Sequence, residues 1–308
     1  MNRESRKYTF ISHLYGPSLR KGQSSLKLGD YIVCDREYLN QNFAKQVGAF
    51  SNKFNAEKNV IALIDNYFLI RSDLDASSDE DAQELFLLEA NDFVNAILYS
   101  LPIRMPENQN ISVTSQRLDT ELAYFVGSES HERHTSLDMI NPVYILDHEM
   151  LEFEGNSEKV FSYLTKAPTT DIEKRIKSAV SWIGQGLRNP ILKEGFLELS
   201  LALETLLVFD QDGFITKSIT AQVSEDIAFL VEDSLEGRKR VARTIKELYG
   251  KRSAIVHPRR EKTIEETDFN QLLEYLKKIV HALFQLLNKK RIASMKSLRE
   301  YLDDRKFT

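Results

Sequence analysis

Ile191-Leu192-Lys193-Glu194-Gly195-Phe196-Leu197-Glu198-Leu199-Ser200-Leu201-Ala202-Leu203-Glu204-Thr205-Leu206-Leu207-Val208-Phe209 reads as a helix that is apolar on most of its sides. Such a helix has no broad polar face to turn to water, so it belongs in the middle of a helical bundle. Its neighbours along the chain supply the partners. Ile172, Ile176, Ala179, Val180, Ile183 and Leu187 recur at helical spacing until Asn189-Pro190 breaks the run, and Pro168-Thr169-Thr170-Asp171 is a helix-start signal ahead of them. Ile219, Val223, Ile227, Leu230 and Val231 mark a third helix; Val241, Ile245, Leu248 and Ile255 mark a fourth. Phe269, Leu272, Leu273, Leu276, Ile279, Val280, Leu283, Phe284 and Leu287 make a long fifth, opened by Glu265, Glu266 and Asp268 as the helix dipole favours. Helices joined by short turns pack as an antiparallel bundle.

Ahead of this region the pattern changes. Residues 8–14, 31–34, 60–64, 67–70, 111–114, 122–126 and 143–146 are short β-branched and aromatic runs of strand length, with Asp65-Asn66 as a tight turn. Ser78 caps a helix whose first turn carries Asp79, Glu80 and Asp81. Leu85, Leu88, Phe93, Ile97 and Leu98 continue that helix to about Ser100, before Pro102 stops it. The expected fold class is therefore α+β. Residues 1–165 form a mixed α+β domain with a sensing or regulatory role, and residues 166–308 form an all-helical bundle.

The chain of 308 residues is 42% hydrophobic and 28% charged, enough for two domains with their own cores rather than for disorder. A single cysteine, Cys34, rules out an intramolecular disulfide and fits a reducing cytoplasmic compartment. The first ten residues are polar and charged, and no run is long and apolar enough for a bilayer, so no membrane partner is expected. The net charge of −5 hides an asymmetry: residues 166–308 hold 26 Lys+Arg against 21 Asp+Glu, which leaves 15 against 25 ahead of them. The basic excess is concentrated in Arg238, Lys239, Arg240, Arg243, Lys246, Lys251, Arg252, Arg259, Arg260 and Lys262, with only Glu247 and Glu261 among them. Such a segment attracts a polyanion, and RNA is the expected partner.

Inside it lies Leu248-Tyr249-Gly250-Lys251-Arg252-Ser253-Ala254-Ile255-Val256-His257-Pro258. Pro258 disfavours the helical conformation at His257, which puts His257 on the last helical turn or just past it. A helix carboxy-terminus favours the imidazolium, bringing the ring toward the range where one histidine both takes and gives a proton. Arg252 offers a planar, permanently charged fork of donors suited to a phosphate. An offset of five turns a regular helix by about 140°, so the two side chains would not share a face. Either the helix ends early enough for His257 to swing round, or the site is composite, with a second copy of the segment facing the first.

The arginine, four intervening residues and histidine at a helix end, the preceding Leu248-Tyr249, and the upstream Leu199-Ser200-Leu201-Ala202-Leu203-Glu204-Thr205-Leu206-Leu207 together resemble the HEPN superfamily, more narrowly the Apea-like HEPN domains of bacterial defence and toxin-type proteins. The resemblance covers residues 170–290. It implies a metal-independent endoribonuclease, without cofactor, that works as a homodimer through the helical domain, with tRNA as one expected substrate and anti-phage defence or toxin-like growth arrest as the setting. It further implies that Arg252 holds the scissile phosphate while His257 serves as base or acid during attack by the ribose 2′-hydroxyl. Ser253 stands just after the arginine, where many active members carry Asn, Asp or His; its hydroxyl can still donate to a phosphate oxygen. Glu204 and Tyr249 are supporting candidates, Glu204 because it sits on a mostly apolar helix and could orient Arg252 or pair with any basic neighbour.

Other readings stand beside this one. Arg252 and His257 could be a surface arginine and a helix-end histidine in a bundle that only dimerises and binds nucleic acid. His131, His134, Asp138 and His148 carry ligand-type side chains, but their spacing matches no strong zinc pattern and they read as polar-loop residues. Cys34, His13 and His281 read as structural. No glycine-rich phosphate loop or serine nucleophile elbow occurs in the chain.

Overall fold

The computed structural model describes residues 6–44, 67–101, 111–113, 122–126, 130–134, 144–146, 163–208, 219–256 and 263–307. The expected strand at 60–64, the Asp65-Asn66 turn, Asp138, His148, His257, Arg259, Arg260 and Lys262 lie outside these residues. The chain divides into two compact units, Met1–Leu101 with Glu107–Lys166, and Pro102–Pro106 with Ala167–Thr308. Strands come first and helices dominate afterwards, so the protein is α+β.

The first unit is an antiparallel sheet with a helix on it. Its strands are β1 (Arg6–Tyr15), β3 (Ser25–Leu28), β4 (Tyr31–Cys34), β5 (Tyr67–Ala76), β6 (Ser112–Val113), β7 (Leu122–Val126) and β8 (Ser130–His134). Their spatial order is β3-β4-β5-β1-β7-β8, with β6 also paired to β1. A separate parallel pair joins β2 (Pro17–Leu19) to β9 (Tyr144–Leu146). Short helix α1 (Arg36–Asn42) follows β4 and is capped by Asp35. Between β5 and β1 the register slips: Ser72 and Asp73 oppose Thr9 alone, and Asp73 takes φ 58. Asp tolerates that left-handed geometry better than most residues, which marks a β-bulge.

Helix α2 (Asp79–Ser100) starts where expected, with the Ser78 hydroxyl accepting from the Asp81 backbone N–H at 3.1 Å. It buries Phe86 and Phe93 against the sheet, where Phe86 stacks on Phe10 at 4.6 Å and Phe93 meets Tyr31 at 4.8 Å. Polar contacts fix its register. Glu89 accepts from Arg71 Nε at 2.8 Å and from the Tyr31 hydroxyl at 3.2 Å. Burial, and then the Glu89 charge, hold the Tyr31 phenol well above its ordinary value, so it stays a donor.

The second unit contains α3 (Asp171–Arg188), α4 (Leu192–Leu207), α5 (Ile219–Val231), α6 (Leu235–Val256), α7 (Glu266–Asn288) and α8 (Met295–Lys306). Thr170 and Glu173 form a reciprocal capping box at the start of α3, and Asn189 ends it, as the Asn189-Pro190 pair predicts. Phe196, Leu199, Leu203, Leu206 and Leu207 of α4 are buried. Helices α3 and α4 approach closely enough that a Cβ at Gly195 would lie 2.6 Å from the Gly186 carbonyl oxygen, and one at Gly186 would lie 2.8 Å from the Gly195 oxygen. Backbone cannot yield as a side-chain tip can. Gly195→Ala is therefore expected to lower stability by about 1–3 kcal/mol through overpacking, despite alanine's better helix propensity. Urea denaturation with an unchanged m-value would register the loss; unaltered stability would mean the helices can separate freely.

Lys277 of α7 is buried. Burial lowers its ammonium from 10.5 to about 8. Between those values the unfolded chain binds more protons than the folded one, so stability rises with pH through the window, and the burial cost is complete below it. Lys277→Met is expected to raise stability by about 1–3 kcal/mol at neutral pH and to flatten the rise from pH 8 upward. Denaturant unfolding on either side of that window checks both effects.

Candidate functional site

Two helices, α4 and α6, bring the candidate residues together. Glu204 lies in the last turn of α4, whose carboxy-terminal carbonyls are held by α3: Arg175 Nη1 donates to the Thr205 oxygen at 2.9 Å and to the Val208 oxygen at 3.3 Å. Tyr249 and Arg252 lie near the end of α6 on the face that packs toward α4. Arg252 Nη2 is 3.1 Å from Glu204 Oε1, with the side chains 28% and 22% exposed, enough for water or a ligand to reach the arginine. The Tyr249 hydroxyl donates to the same Glu204 oxygen through a short hydrogen bond. Its ring lies 5.7 Å from the guanidinium carbon. Burial first, and the Glu204 carboxylate second, push the Tyr249 phenol far above its ordinary range, so it acts as a fixed donor. The three side chains form one unit in which a single carboxylate orients the guanidinium, with its other N–H groups available.

The end of α6 is anchored on its other side. Lys251 Nζ lies 2.5 Å from Asp268 in the first turn of α7, and Asp268 also accepts from the Glu265 backbone N–H at 2.9 Å. Ser253 is half-buried in the last turn of α6 and Gly250 beside it carries no side chain. Helix α6 is described to Val256, and His257 lies outside the described residues.

The basic residues of α6 separate into two groups. Arg238 donates from Nε to the Glu232 carbonyl at 3.1 Å and lies 4.4 Å from the Phe229 ring centre, so it ties α6 to the end of α5. Lys251 and Arg252 serve the contacts above. Lys239, Arg240, Arg243 and Lys246 are exposed, and among the described residues Lys239 pairs with exposed Glu236, at 2.9 Å. Acidic partners scarce in the sequence around this segment are thus supplied in space by Glu204 and Asp268, from α4 and α7.

Two features escaped the sequence reading. Asp226 of α5 is fully buried, with Arg299 Nη1 at 3.1 Å and Lys306 Nζ at 2.9 Å, both from α8. Desolvation raises its carboxyl from the ordinary value, with the two cations opposing that rise. The other is Lys277. Elsewhere, Cys34 is buried and its thiol is pushed up to about 12 by desolvation, which leaves it unreactive at neutral pH. His131 and His134 lie on β8, and the described residues contain no group of three metal-ligating side chains.

No family model, curated protein or solved structure matches the chain. No helix among the described residues is long and apolar enough to cross a membrane.

Proposed function

We propose that the protein is a metal-independent endoribonuclease of the HEPN type, acting in the cytoplasm as a homodimer through its helical unit, in anti-phage defence or toxin-like growth arrest. The observation that carries this reading is Arg252, held near the end of α6 by Glu204 and Tyr249, five positions before His257. Its free N–H groups bind the scissile phosphate and stabilise the charge that builds on it. His257 removes the proton from the ribose 2′-hydroxyl, or protonates the departing 5′-oxygen, and a second copy supplies the complementary group. The 2′-oxygen bonds to phosphorus as the P–O5′ bond breaks, leaving a 2′,3′-cyclic phosphate and a 5′-hydroxyl. Ser253 donates to a phosphate oxygen.

The same ion pair also suits a structural tie between α4 and α6, the arrangement a non-catalytic dimerising and RNA-binding bundle would keep. Incubation with total RNA and a tRNA pool in excess EDTA separates the two readings. Cleavage with cyclic-phosphate ends by the native protein, abolished in His257→Ala, is the expected result. Intact RNA with both proteins, with phage lysate added as trigger, would leave the binding module.

A further inference from the structure

Helix α6 has two working faces. Val241, Ile245 and Leu248 are buried, and Tyr249 and Arg252 point from the same side toward α4. Lys239, Arg243 and Lys246 recur at helical spacing on the exposed side, with Arg240 beside them. Arg252 comes about two and a half turns after Arg243, which places the two on opposite faces. Among the described residues Arg240, Arg243 and Lys246 take part in no ion pair. The acidic residues of α6 are Glu236, which pairs with Lys239 at 2.9 Å, and Glu247.

We infer that this exposed ridge, Lys239, Arg240, Arg243 and Lys246, is a docking site for the backbone of single-stranded RNA, separate from the Arg252 corner. The choice of RNA over another polyanion rests on the ribonuclease reading. The ridge itself rests on charge and placement. Lys239 and Lys246 are about 10 Å apart along the helix axis, so the long side chains reach neighbouring phosphates of one strand rather than a single point. Four exposed cations without shape complementarity bind through counterion release, which gives affinity with steep salt dependence and little sequence preference. Because the ridge faces away from Arg252, it holds the strand without touching the scissile phosphate. Its loss weakens binding and leaves the chemical step intact.

The test uses the full chain carrying His257→Ala, a fluorescent single-stranded RNA, and anisotropy titrations over a range of salt. Lys239→Gln/Arg243→Gln/Lys246→Gln is compared with Lys174→Gln/Lys193→Gln/Lys296→Gln, which removes the same charge from other surfaces of the same unit. The ridge triple is expected to lower the slope of log K against log salt by about 2 and to weaken binding about tenfold or more, with the control triple near the parent. Equal weakening by both triples, or an unchanged slope in the ridge triple, overturns the assignment. Polyglutamate that binds the ridge more tightly than RNA at matched charge would replace RNA with an acidic protein segment and overturn it too. Cleavage by the native chain is scored separately. A protein that binds through the ridge but cuts nothing refutes the nuclease reading alone, and one that cuts but binds elsewhere refutes the ridge alone.

Discussion

Arg252→Ala is expected to slow RNA cleavage by about 10²–10³-fold under single-turnover conditions in EDTA, with its unfolding transition close to that of the native protein. The size follows from what the guanidinium does: it is a preorganised donor aimed at charge that develops only as the 2′-oxygen attacks. Partial exposure of the side chain, 28%, keeps the cost to folding small. Arg252→Lys retains the charge but not the planar fork, so it should recover only part of the rate. Glu204→Gln provides a sharper control. Its amide oxygen still accepts from Tyr249 but no longer holds the guanidinium by charge, so a positioning role predicts a lower kcat with KM little changed. Cleavage at the native rate by Arg252→Ala would remove the site from α6.

The largest expected effect on stability is at Asp226. Its carboxylate is fully buried between Arg299 and Lys306, and Lys306 is only 14% exposed, so removing the acid leaves a mostly buried cation with the longer contact to Asp303 alone. Asp226→Ala is expected to cost about 3–5 kcal/mol by chemical denaturation, the range for breaking a buried ion pair from one side. Arg299 and Lys306 both keep Asp303 at 3.5 Å, but Arg299 is the more exposed and water screens it, so more of the cost falls on Lys306. The double change Asp226→Leu/Lys306→Met replaces the pair by apolar contact and should restore much of the loss. If the single variant stays within about 0.5 kcal/mol of the native protein, α8 is not held by this pair.

The bundle was legible wherever apolar periodicity was strong. Helices α3, α4, α5 and α7 follow from it, and Thr170, Asn189 and the acidic start of α7 set their ends. Helix α8 was not legible, because Leu298 and Leu302 are its only buried side chains and its other positions are mostly polar or charged. Strand β5 runs past the expected 67–70 to Ala76, since the bulge at Ser72-Asp73 breaks the alternation that marks a strand. Strand β8, Ser-His-Glu-Arg-His, has no apolar residue at all and reads as a loop; pairing with β7 makes it a strand. At the site, the sequence proposed Glu204 and Tyr249 but could not decide whether Glu204 met Arg252. Lys251 was assigned to RNA although Asp268 holds it, because a contact between two helix ends leaves no trace in the periodicity of either.

The two ways in which the bundle is tied together differ in chain separation, and this bears on the order in which it assembles. The α3–α4 hairpin closes over Asn189, Pro190 and Ile191, whereas Asp226 meets α8 across 73 and 80 residues. Closing the short loop costs little entropy, while the distant pair gains nothing until most of the intervening chain is in place. The glycine contact of the hairpin therefore belongs to the folding nucleus and the Asp226 clasp to the final descent. Weakening the first slows folding, and weakening the second chiefly shortens the lifetime of the native state.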